Sequence, residues 1–93
     1  MVVGLLTIEL FIPGAQSLKE KRMVVRRIKD RVKKFNIAVS EVEHQDLWQR
    51  AGIAVVTVAT DEATAHRELT AVVDEIERVE PGLITRSAFE FLR

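Results

Sequence analysis

Residues 2–12 read Val-Val-Gly-Leu-Leu-Thr-Ile-Glu-Leu-Phe-Ile, and Pro13-Gly14 and Ser17-Leu18-Lys19-Glu20 follow at once. The even positions of the first stretch, Val2 through Ile12, are all apolar or glycine, while the odd ones mix Val3, Leu5 and Phe11 with Thr7 and Glu9. Alternation with period two is the mark of a strand, and one wholly apolar face places it centrally in a sheet. Pro-Gly stops the strand, and Ser17 with Glu20 has the spacing of a capping box, in which the hydroxyl accepts an amide three residues on and the carboxylate reaches back. A helix therefore starts at Leu18. Leu18, Val25, Ile28, Val32 and Phe35 keep helical spacing as far as a stop at Asn36, and Arg22, Arg26, Lys29 and Lys33 run along one flank of that stripe.

The pattern then repeats. Residues 36–44 alternate loosely as a second strand, and a polar connector around Trp48 leads into Ala51–Thr60. That run is apolar on both sides and β-branched, as a second central strand would be. Thr60-Asp61 caps another helix, with Ala65, Leu69, Val72, Val73, Ile76 and Val79 in phase until Pro81-Gly82, and residues 83–92 form the last strand. Strand, helix, strand, strand, helix, strand is the ferredoxin-like βαββαβ sandwich, an α+β fold with two helices on one face of a four-stranded antiparallel sheet. Right-handed crossovers give the strand order 4-1-3-2, with the charged second and fourth strands at the edges. The 93 residues fit a single domain, 1–93.

Composition removes many functions. With no cysteine, disulfides, thiolate nucleophiles and cysteine metal sites are excluded. No stretch approaches the ~18 apolar residues of a spanning helix, and the opening Met-Val-Val-Gly-Leu-Leu has no basic signal-peptide region, so no membrane is expected and the cytoplasm is the expected location. A formal net charge of zero hides a division: residues 1–36 carry nine basic and three acidic side chains, a balance of +6, against five and eleven, −6, in residues 37–93. Such a polarised molecule attracts anions on one side while repelling them on the other.

Ser17-Leu18-Lys19-Glu20-Lys21-Arg22 after a strand and a Pro-Gly turn, Phe35-Asn36, Ser40-Glu41-Val42-Glu43 and Asp46-Leu47-Trp48-Gln49-Arg50-Ala51 together resemble the YlxP-like proteins, a small bacterial family of unknown function. The resemblance spans nearly the whole chain. It implies a ferredoxin-like fold and a gene that often lies among translation and ribosome-maturation genes, and it supplies no catalytic residues.

Four places merit weighing as sites. The helix start, Pro13 to Arg22, offers free amides, the positive end of the helix dipole and Lys19, Lys21 and Arg22, which together suit a phosphate or carboxylate. Lys21 falls inside the apolar stripe, so its stem covers core, and its ammonium either meets an anion or pairs with a carboxylate, with Glu9, Glu41 and Glu43 as the choices. A capping box and a snorkelling salt bridge explain the same residues without a ligand. Further along, Arg26, Lys29 and Lys33 extend a basic flank suited to phosphate backbone, or simply to solvation. The aromatic base-stacking platform of an RNA-recognition motif is missing from both central strands.

Glu41 and Glu43, two apart on a strand, are expected on one side, ~6.6 Å apart, where they guard an edge or hold a hydrated cation. His44 and His66 lack the spacing of metal ligands, so no metal and no cofactor are expected. Trp48 either folds back as a plug or stands out as an interface anchor. There is no nucleophile elbow, P-loop or dinucleotide fingerprint, and Pro13-Gly14-Ala15-Gln16 with no asparagine beyond Asn36 does not suit an acylphosphatase.

The expected protein is thus a non-enzymatic accessory protein that contacts RNA or ribonucleoprotein through Lys19, Lys21, Arg22, Arg26, Lys29 and Lys33. The alternative is an interaction module that forms a homodimer through the open face of its sheet, where Val3, Leu5, Thr7, Ile53, Val55 and Thr57 are expected, with Trp48 nearby.

Overall fold

A computed structural model describes residues 1–93. Its elements run β1 (Val2–Phe11), α1 (Leu18–Val32), β2 (Ala38–Glu43), β3 (Arg50–Ala59), α2 (Glu62–Val79) and β4 (Ile84–Leu92). All pairings are antiparallel, in the order β2-β3-β1-β4. This is the ferredoxin-like plan, and β1 and β3 hold its centre. β1 pairs along its whole length with β3, from Val2 opposite Ala59 to Phe11 opposite Arg50.

The even residues of β1 face the helices. Leu6, Ile8 and Leu10 are buried there, and the helices close over them with Val25, Ile28 and Val32 from α1 and Leu69, Val72 and Ile76 from α2. Each of the larger of these side chains contributes about 1.5–3 kcal/mol by leaving water. Gly4 lets α2 approach closely, since a Cβ there would lie 3.0 Å from Leu69 Cδ1.

Both helices start where the sequence indicates. Ser17 Oγ accepts the Glu20 amide at 3.1 Å and Asp61 Oδ1 accepts that of Thr64 at 2.7 Å, each quenching a donor the first turn leaves free. The Thr64 amide in turn holds the Asp61 carboxyl below its ordinary range. The first helix ends earlier than its apolar spacing suggests. Val32 is its last residue and Lys33 its C-cap, while Phe35 lies in the turn beyond and packs on the core from there. That turn is fixed by Thr57, whose hydroxyl donates to the Asn36 carbonyl at 2.8 Å, and by the Asn36 amide, which donates to Glu68 at 3.0 Å.

The second central strand corrects an expectation. Ile53, Val55 and Thr57 lie opposite Ile8, Leu6 and Gly4 and so face the helices, each at most 3% exposed. Val55 is core and no interface residue. Residues opposite one another on neighbouring strands share a face, so the open face holds Ala54, Val56 and Val58 beside Thr7, Leu5 and Val3.

Candidate nucleic-acid interface

The orientation of α1 follows from what it buries. Lys21, Val25, Ile28 and Val32 are spaced four, three and four residues apart and all point into the molecule. At ~100° per residue this turns Lys29, Arg22, Lys33, Arg26 and Lys19 onto a single flank within roughly 80° of arc, and at ~1.5 Å rise per residue they extend along it for about 21 Å. Lys19, Arg22 and Arg26 are exposed, and with Met23 they line a surface depression of about 280 Å³.

No carboxylate lies within ion-pair distance of Lys19, Arg22, Arg26 or Lys29, nor of Arg31 elsewhere on the helix, whereas the other cations of α1 and the turn after it are paired. Arg27 pairs with Glu80, Lys33 with Asp30 at 3.3 Å and Lys34 with Glu75 at 3.3 Å. These three face α2 or their own helix. Lys19, Arg22 and Arg26 are exposed and Lys29 is half-buried, and Asp30, the acidic residue beside this flank, is paired with Lys33. Of the six side chains expected on an anion, four are thus free, Lys33 is shared with Asp30, and Lys21 is lost to the site.

Lys21 is only 1% exposed. Its ammonium lies 2.8 Å from Glu41 Oε2 and donates to the carbonyl of His44, so the open choice among three carboxylates falls to Glu41. An ammonium enclosed in this way cannot meet a soluble anion. The helix start is closed to anions as well, because Glu20 Oε2 accepts the Gln16 amide and Ser17 accepts that of Glu20. A carboxylate already occupies the place a phosphate would take.

Glu41 and Glu43 do not share a side. The pairing of β2 with β3 shifts between them, so Glu41 lies opposite Ile53 on the helix side and Glu43 opposite Gly52 on the open side. Just beyond, His44 adopts φ 61° and brings its Nε2 within 3.1 Å of Glu9 Oε2. Strand spacing alone gives no sign of this meeting, since it needs both the bulge and the turn. His66 is far from it, stacked at 5.0 Å on the ring of Phe89.

Trp48 stands out and does not plug the hairpin. It is 54% exposed and, with Phe11 and Leu47, walls an open apolar cleft of about 560 Å³. The loop that carries it is fastened to the β1–α1 turn, because the Ile12 amide donates to the Gln49 carbonyl and the Gln49 side chain donates to the carbonyls of Pro13 and Ala15. No helix is long and apolar enough to cross a membrane.

The family model described as "Protein of unknown function (DUF503)" matches residues 3–88. A protein of Bacillus subtilis (strain 168), "Uncharacterized protein YlxP", is 39% identical over 77 residues, which cover 82% of this chain and 84% of that one. Among solved structures, the de novo designed protein Foldit4 superposes with a TM-score of 0.55 at 15% identity, covering 99% of this chain and 96% of its own. SnoaB, a cofactor-independent oxygenase from Streptomyces nogalater, gives 0.52 at 13% identity, with 99% and 91% covered. At such identities the two structures speak for the fold alone, and a designed protein beside an oxygenase illustrates how little the fold says about activity.

Proposed function

The chain belongs to the DUF503 family of proteins of unknown function, and on that premise we propose that it is a non-enzymatic cytoplasmic accessory protein that holds RNA by its phosphate backbone against α1. The observation that carries this reading is the set of four unpaired cations, Lys19, Arg22, Arg26 and Lys29, on one flank of a helix whose other basic groups mostly have carboxylate partners. A flank of point charges without base-stacking aromatics reads charge and spacing rather than sequence, and its affinity comes from counterion release. Recognition is therefore expected to be tolerant of sequence and steep in salt.

The test is titration of a fluorescent RNA hairpin with wild type and with an Arg22→Glu, Arg26→Glu variant over a range of KCl concentrations. The variant, folded by circular dichroism, should lose tenfold or more in affinity, and its log–log salt slope should fall by about one to two. Equal affinity and slope for both proteins would refute the reading.

A second reading is favoured by a separate observation, the apolar character of the open sheet face. Val58 and Leu92 there are 52% and 67% exposed, beside Val3, Leu5 and Val56. Self-association through that face covers them and leaves α1 free on the opposite side, so the two readings are compatible.

A further inference from the structure

Glu9 and Glu43 belong to strands that never touch, because β3 lies between β1 and β2. Both sit opposite the same residue, Gly52, and thus flank it on the open face of the sheet. The glycine is required there, since a Cβ would stand 2.7 Å from the Cβ of Glu43. In place of a side chain there is a hollow of about 80 Å³, with Thr7, Glu9, Val42 and Glu43 among its walls. His44 turns into this corner, and one oxygen from each glutamate and one imidazole nitrogen lie within 4.8 Å of one another.

One nitrogen serves both oxygens of the Glu9 carboxylate. His44 Nε2 lies 3.3 Å from Oε1 and 3.1 Å from Oε2, and the buried Oε2 has no hydrogen-bond donor of its own. A carboxylate that shares a single donor between two oxygens is short of positive charge, and a cation relieves it. The nearby side-chain cations do not. Arg50 reaches only to 3.9 Å, Lys21 is committed to Glu41 and the His44 carbonyl, and Arg86, opposite Glu9 on β4, forms no ion pair with it.

We propose that Glu9, Glu43 and His44 form a binding site for a first-row divalent cation of the zinc type, with solvent completing the coordination. Two carboxylates and a neutral imidazole supply the borderline donor set that zinc accepts, and three protein ligands with an open position are a common arrangement for it. Ligand atoms ~2.0–2.2 Å from a shared ion stand closer together than the present spread, so binding draws Glu43 inward over Gly52. Magnesium, which prefers an octahedron of oxygens and retains its waters, is a poor match.

The test uses the full chain, stripped with EDTA and dialysed, then titrated with zinc chloride by calorimetry. One ion per chain is expected. Glu43→Gln and His44→Asn should each weaken binding tenfold or more, asparagine being chosen because it tolerates a positive φ, and His66→Asn should bind as wild type does. Circular dichroism checks the fold of each variant, and Glu43→Gln alone decides if His44→Asn does not fold. Magnesium chloride should give no heat. The site is refuted if wild type takes up no stoichiometric zinc, if binding survives Glu43→Gln, or if His66→Asn removes it.

Discussion

Lys21 shows how much one misplaced charge can explain. A lysine in the apolar stripe of a helix is costly unless its ammonium is met, and here Glu41 and the His44 carbonyl meet it. Lys21→Met keeps most of the stem but strands Glu41, whose side chain is 18% exposed, so stability should fall by roughly 1–3 kcal/mol in urea unfolding. Adding Glu41→Gln to the variant should restore part of the loss, since a neutral amide costs less to leave unpaired. Added phosphate should shift the melting of Lys21→Met and wild type equally, because the group is sealed from solvent. Unchanged stability in the single variant would mean that the pair contributes nothing net. The sequence discloses that Lys21 needs a partner. It does not disclose which, because that depends on a strand bulge that sends Glu41 to one side of the sheet and Glu43 to the other.

Between elements, α2 is joined by charge as well as by core to the end of α1 and the turn beyond it. Glu75 on α2, its side chain 8% exposed, receives Arg78 at 2.6 Å from its own helix and Lys34 at 3.3 Å from the turn that follows α1. The Arg78 hydrogen bonds foremost, and then Lys34, hold its pKa down to about 2. A carboxylate whose folded pKa lies below its unfolded value of 4.5 adds stability above that pH, and loses it as the pH falls toward 2. Glu75→Gln should therefore be less stable than wild type at pH 7, with the gap closing between about pH 4.5 and pH 2, as thermal melts across that range can establish; a gap independent of pH would exclude the carboxylate as its cause. The caps at Ser17 and Asp61 and the stripes of both helices are legible in the sequence because polar and apolar residues alternate there with a definite phase. β3 is different. Ile53 and Val55 face the core and Ala54 and Val56 face outward, and residues so alike carry no phase, so only the register against β1 separates them.

For the molecule as a whole, the layered plan leaves one sheet face without a cover. Its apolar centre is Leu5 and Val56, directly opposite one another, with Val3 and Val58 next in line. If this face joins two copies, sedimentation should show a dimer, and Leu5→Glu should give a folded monomer, because a charge buried there would lack a partner. Wild type that remains monomeric at high concentration would eliminate the dimer. The strand order was legible from composition and handedness, whereas the contents of this face were not, since they depend on the phase of β3. The same strand order has a consequence for biosynthesis. β1 is made before both of its neighbours, β3 and β4, so one flank stays unpaired until residues 84–92 have been translated. Until then the nascent domain carries an apolar, half-paired strand, and its final closure depends on contacts distant in sequence, which form slowly and leave time for chaperones or for misassociation.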